Sequence, residues 1–127
     1  MIRMERPRVY GGILRTKADE YALVQGRYTG KWSFPKGHSN DGETPMECTK
    51  REIAEETGLV DLPTPEEYLK IGYGNYYVFP MDKKVKLHPR DEQEIINTTW
   101  ATLEEMDLLL VNVDVSKYMK DRRKRGK

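Results

Sequence analysis

The stretch from Gly37 to Leu59, GHSNDGETPMECTKREIAEETGL, decides how the rest of the chain is read. Glu52, Glu55 and Glu56 stand in it at i, i+3 and i+4, a spacing that brings all three carboxylates to one side of a helix. Exposed like charges at this spacing cost about 0.2–0.5 kcal/mol per pair, but gathered in a partly desolvated pocket they cost far more. A divalent cation removes that cost, and oxygen donors of this kind suit a hard ion, Mg²⁺ or Mn²⁺, rather than Zn²⁺. Thr44-Pro45-Met46-Glu47 has the pattern of a capping box with Pro at the first helical position, so the helix is expected to begin there. Gly58 is expected to stop it. Met46 and Ile53 lie about 100° or more around from Glu52, so an apolar flank should pack inward while the carboxylates stay wet.

These 23 residues resemble the Nudix box, with Gly37, Glu43, Arg51, Glu52, Ile53, Glu55, Glu56, Gly58 and Leu59 in its fixed positions. The resemblance implies cleavage of the pyrophosphate link of a nucleoside diphosphate joined to another group. It also implies a loop–helix–loop motif inside an α+β fold, an α/β/α sandwich with a mixed β-sheet. One to three divalent ions would be held by Glu52, Glu55 and Glu56, with the Gly37 carbonyl added. Within the catalytic group Arg51 would orient the glutamates, and Glu43 would fix the loop. The base that activates water would be Glu52, Glu56 or a later carboxylate.

Upstream, RVYGGILRT from Arg8 and YALVQ from Tyr21 read as strands joined by a turn over residues 17–20. Gly11-Gly12 lacks the third glycine and following helix of a phosphate fingerprint, and is expected to permit close packing against the catalytic helix. The loop GRYTGKWSFP, Gly26 to Pro35, is basic and aromatic and runs directly into Gly37. Arg27, Lys31 and Lys36 are its candidates for holding phosphate. His38 is a further candidate, while Trp32 and Phe34 are expected to plug the core rather than stack on a base. The run WSFPKGH resembles both the dinucleoside polyphosphate members of the family and its RNA decapping and RNA 5′-pyrophosphohydrolase members.

Downstream, residues 61–67 form a proline-containing linker, and YLKIGYGNYYVFPM reads as a hairpin turning at Gly74-Asn75. Tyr76 and Tyr77 fall where the dinucleoside polyphosphate branch carries a substrate-binding tyrosine, although aromatics also simply favour strands. Lys83, Lys84, Lys86 and His88 make a basic patch that is either a solvated loop or a landing surface. By resemblance, a glutamate about six residues before a tryptophan supplies a further metal ligand or the base. That offset from Trp100 falls on Glu94, with Glu92 as the rival. A short helix is expected at residues 102–106 and another from about Asp114 to Lys124, ending in a basic tail from about residue 120 that is either frayed or in contact with nucleic acid.

The 127 residues fit one domain, and 34% charged against 37% hydrophobic residues with net charge +1 describes an ordinary soluble protein. No apolar run approaches a membrane span, the first ten residues are too charged for a signal-peptide core, and the single Cys48 suits an intracellular setting. The leading expectation for substrate is a dinucleoside polyphosphate or related nucleotide. Capped or 5′-pyrophosphorylated RNA is the rival, and inositol pyrophosphates would suit the lysine-rich loops. A Nudix-fold module that binds nucleotide or RNA without cleaving it is disfavoured by the complete set of glutamates. The chain is expected to act as a monomer or homodimer.

Overall fold

Strand β1 (Val9–Thr16) is buried along nearly its whole length because the chain supplies partners on both of its edges and helices over both of its faces. The computed structural model describes residues 8–126. Turning back through Asp19, the chain forms β2 (Glu20–Gly26), then the short strands β3 (Trp32–Ser33) and β4 (Lys36–His38). Helix α1 (Pro45–Thr57) follows, then β5 (Glu67–Ile71), β6 (Gly74–Met81) and β7 (Ile95–Thr102), then α2 (Leu103–Met106) and α3 (Val113–Arg125).

The sheet is mixed, in the order β3-β2-β1-β6-β5, with β4 added to β1 and β7 to β2. β1 and β6 run parallel from Tyr10 opposite Asn75 to Thr16 opposite Met81, and the other pairings are antiparallel. β1 meets β2 only near their turn, at Arg15 opposite Tyr21. Beyond it the two strands splay, and the β3–β4 segment fills the wedge, with Trp32 opposite Gln25 and Gly37 opposite Tyr10. The Gly12 amide closes the junction by donating to the Pro35 carbonyl at 3.0 Å.

Alternation along the strands sends Ile13, Leu23, Phe34, Tyr76 and Val78 to one face, beneath Val115, Tyr118 and Met119 of α3. Leu14, Ala22, Phe79 and Met81 go to the other, beneath Ile53 of α1. The expected sandwich is present, and Gly12 is the residue that lets α1 approach: a Cβ there would fall 2.4 Å from Ile53 Cδ1. Phe34 plugs the core as expected and Trp32 is partly buried.

Two boundaries depart from expectation. The β5–β6 turn lies at Gly72-Tyr73, not Gly74-Asn75, because Gly72 takes φ +58° and the Tyr73 amide donates to Asp114 at 2.8 Å. A Cβ at Gly72 would sit 2.1 Å from Asp114 Oδ1, so the turn is fitted to that carboxylate. The basic C-terminal run is helical as far as Arg125 rather than frayed, since Arg122, Arg123 and Arg125 pair with Asp19, Asp107 and Glu67. Among the described residues no helix is long and apolar enough to cross a membrane.

Candidate active site

Helix α1 is locked at both ends. Thr44 accepts from the Glu47 amide while Glu47 accepts from the Thr44 amide, and Gly58 closes the C-terminus at φ +79° with its N–H on Ala54. The segment after β6 then crosses the exposed end of the helix. His88 donates its amide to Thr57 at 2.8 Å, and Arg90 and Asp91 donate theirs to Glu55 at 2.8 and 3.0 Å.

Glu52 and Glu56 do not stay wet: each is only 7% exposed, and both lean on β4. The Glu52 carboxylate lies so close over Gly37 that a Cβ there would fall 1.8 Å from Oε2, which is why a glycine stands at that position. Glu56 accepts a hydrogen bond from the Lys36 amide at 3.1 Å. Glu55 alone of the three reaches solvent, with its side chain 43% exposed. Burial pushes the Glu52 carboxyl up to about 7, with the neighbouring Glu55 adding to the effect. Burial likewise pushes Glu56 up to about 8 against the opposing hydrogen bond from Lys36.

Arg51 organises this group. Its Nε and Nη2 grip Glu43 at 2.6 and 2.9 Å, and Nη2 also donates to the His38 carbonyl at 3.0 Å. Its Nη1 meets Glu52 at 2.7 Å and Glu55 at 3.3 Å. Hydrogen bonds from Arg51 hold the Glu43 carboxyl down at about 2. Glu43 in turn accepts from the Asn40 amide at 2.8 Å and so fixes the loop before the helix.

Glu94 arrives from the other side. Arg27 donates its Nε to the Gln93 carbonyl at 2.8 Å and its Nη2 to the Glu92 carbonyl at 2.9 Å, and its own amide donates to Glu94 O at 2.7 Å. This clamp sets Glu94 into an open cleft of about 300 Å³ that also takes in Lys31, Lys36, Glu56, Tyr28 and Asn112. Glu92, the rival, lies outside that cleft, on a neighbouring shallow surface with Glu55 and Arg90.

Several expected substrate contacts need correction. Arg27 commits Nε and Nη2 to the carbonyls of residues 93 and 92 and is not among the residues lining the cleft, so its main contact is with the backbone before Glu94. Tyr76 is fully buried under α3, where its hydroxyl donates to Asp114, so it has no face to offer a base. Tyr77 points to the opposite side of the sheet, its ring 4.7 Å from that of Tyr68, and it does not line the cleft. His38 ends β4 with its carbonyl on Arg51, outside the lining of the cleft. Lys31 and Lys36 do line it. Sequence reasoning passed over Tyr28, which is 83% exposed at the mouth of the cleft, although it was visible as an aromatic inside a basic, glycine-rich loop.

The donor set fits a hard divalent cation: two buried carboxylates whose titration is displaced upward, a third beside them, and the Gly37 backbone between. Among the described residues no three acidic, cysteine or histidine side chains are grouped closely enough to hold an ion as they stand, and Arg51 Nη1 donates to both Glu52 and Glu55.

This arrangement, a capped helix presenting glutamates across a glycine strand and locked by an arginine, defines a class. The NUDIX domain model matches residues 5–121, and the chain belongs to the Nudix family. It is similar to mRNA-decapping enzyme subunit 2 of Arabidopsis thaliana, 30% identical over 101 residues, which is 74% of this chain and 27% of that protein. It is also similar to RNA pyrophosphohydrolase of Helicobacter pylori, 35% identical over 66 residues, 51% of this chain and 40% of that protein. The chain thus spans less than half the length of these two relatives. In fold it matches the crystal structure of a C. elegans Ap4A hydrolase binary complex with a TM-score of 0.74, at 20% identity, covering 91% of this chain and 96% of that one.

Proposed function

We propose that the chain is a divalent-metal-dependent pyrophosphohydrolase acting on a nucleoside polyphosphate, and that its substrate class is the 5′ end of RNA, capped or 5′-pyrophosphorylated. The observation that carries the hydrolytic reading is the cleft itself, where Lys31 and Lys36 face Glu56 and Glu94 with room between them for a phosphate chain. The RNA reading is supported by the named activities of the two relatives.

Lys31 and Lys36 bind phosphate oxygens and draw charge from them as the bond breaks. Glu94, across the cleft and fixed by the Arg27 clamp, accepts the proton of the attacking water. Glu52, Glu55 and Glu56 would hold Mg²⁺ or Mn²⁺ with the Gly37 carbonyl, and the ion, when bound, supplies charge neutralisation and lowers the pKa of water. Arg51 is a positioning residue: it holds Glu43 through Nε and Nη2 and donates Nη1 to Glu52 and Glu55, the carboxylates that would hold the ion.

A free dinucleoside polyphosphate is the second reading, compatible with the run WSFPKGH, which both branches share, and favoured by its chemical likeness to a cap, since both join two nucleosides through a phosphate chain. The test offers capped RNA, triphosphorylated RNA, diadenosine polyphosphates, ADP-ribose and an inositol pyrophosphate in parallel, with Mg²⁺, with Mn²⁺ and with EDTA. Metal-dependent release of the cap nucleotide or of pyrophosphate from RNA is expected, abolished in Glu56→Gln. Preference for the dinucleotides would move the assignment to the second reading, and no metal-dependent cleavage of any of them would leave a binding module.

A further inference from the structure

We infer that Tyr28 is the platform on which a nucleobase of the substrate stacks, and that Arg27 keeps that platform in register with Glu94. The inference rests on the proposed function in one respect: the substrate carries a base.

The loop bearing Tyr28 is closed on itself. Gly26 donates its amide to Lys31 O at 3.0 Å, Gly30 donates to Gly26 O at 2.9 Å, and Gln25 Nε2 donates to Gly30 O at 3.0 Å. Gly30 takes φ +71° to complete the turn, and Thr29 Oγ1 accepts from the Lys31 amide at 3.1 Å. On this tied loop Tyr28 stands 83% exposed, with its ring free to meet a flat ligand. Its backbone is ordered before any ligand arrives, so a base that stacks on it does not bear the cost of ordering the loop.

Exposure alone does not make the argument. Tyr73 is 82% exposed on the β5–β6 turn and does not line this cleft. Tyr28 stands at the mouth of the cleft whose floor holds Lys36 and Glu56, and Lys31 follows it three residues on. A nucleoside polyphosphate presents an aromatic face and an anionic chain in the same order. Stacking reads any base by its π-face, which suits a substrate whose first nucleotide varies.

Arg27 makes the platform useful. The residue before Tyr28 binds three consecutive backbone carbonyls, those of Glu92, Gln93 and Glu94. The element that holds the base and the element that carries the candidate general base therefore move as one body.

The experiment compares wild type, Tyr28→Ala and Tyr28→Trp on three probes: a short capped RNA, diadenosine tetraphosphate, and 5-phosphoribosyl 1-pyrophosphate, which carries a pyrophosphate and a ribose but no base. The ratio of kcat/KM for a nucleotide probe over the base-free probe is expected to fall about 10- to 100-fold in Tyr28→Ala, through KM, and to be retained in Tyr28→Trp. Thermal unfolding checks that the variants fold. An unchanged ratio in Tyr28→Ala, with wild-type turnover of a nucleotide probe intact, overturns this inference and leaves the proposed function standing. A fall that Trp does not restore also overturns it, because the loop and not the ring would then be responsible. Failure of wild type to cleave either nucleotide probe sinks the proposed function and this inference with it.

Discussion

Removing the ionisable proton from Glu56 should change how the metal-free protein responds to pH. The Glu56 carboxyl is pushed by burial from its ordinary 4.5 to about 8. The folded state therefore keeps a proton that the unfolded chain has already released across that whole range. Stability from this group is fully present below about 4.5, falls as pH rises through the window, and is lost above about 8. Each pH unit is worth about 1.4 kcal/mol. Relaxation and water penetration around a buried ion bring the total to about 2–4 kcal/mol, on the order of 10 °C in Tm for a chain of this size. The assay is thermal unfolding of wild type and Glu56→Gln in EDTA from pH 5.5 to 8.5. Gln keeps an oxygen for the Lys36 amide and never ionises, so the gap between variant and wild type should widen steadily in the variant's favour from pH 5.5 toward pH 8 and then level off. Glu52 titrates in both proteins, and because its charge adds to the upward push on Glu56 the difference between the two curves reads the pair. On the proposal that Glu56 helps to hold the cation, Mg²⁺ should recover wild type at pH 8.5 and recover the variant much less. Parallel curves for the two proteins, or a wild type that gains stability with pH, would refute the reasoning.

Three further outcomes follow from single contacts. Gly37→Ala places a Cβ 1.8 Å from Glu52 Oε2, so turnover should fall about 100-fold or more while the circular dichroism spectrum stays native; full activity would show that Glu52 does not need that position. Arg27→Lys cannot span two carbonyls at once, and kcat should drop about 10-fold with Tm nearly unchanged, which steady-state kinetics beside a melting curve will read. Asp114→Ala leaves the buried Tyr76 hydroxyl without its partner and should cost about 1–3 kcal/mol in chemical denaturation; Tyr76→Phe in the same background should return part of that loss.

What was legible in the sequence is what is decided locally. Thr44, Pro45, Glu47 and Gly58 set the ends of α1 through contacts spanning at most four residues, and the structure places those ends as read. The same holds for the box of Thr102 and Glu105. What was not legible depends on chain brought from afar. Glu52 and Glu56 are buried because β4 pairs with β1 and slides its backbone under α1, an event that no helical periodicity encodes. The turn at Gly72-Tyr73 answers to Asp114, 41 residues after Tyr73, while Gly74-Asn75 is the equally reasonable local choice. Arg27 reads as a phosphate ligand until residues 92–94 are folded against it.

These distant contacts explain how a small mixed sheet can hold so much like charge in one place. α1 is fixed at its N-terminus by its own capping box, and at its C-terminus by the amides of His88, Arg90 and Asp91, which take the carbonyls the helix leaves open. The strap that supplies those amides continues within three residues to Glu94, where Arg27 captures it. One continuous segment therefore does two jobs, finishing the helix that carries Glu52, Glu55 and Glu56 and delivering a fourth carboxylate to face Glu56. Because residues 88–90 of the strap are tied through backbone atoms, side-chain substitutions there should be tolerated, whereas Asp91 also accepts the Glu94 amide through Oδ1 at 3.2 Å. A deletion of one residue there should instead uncouple Glu94 from Glu56 and abolish turnover in a protein that still folds its sheet.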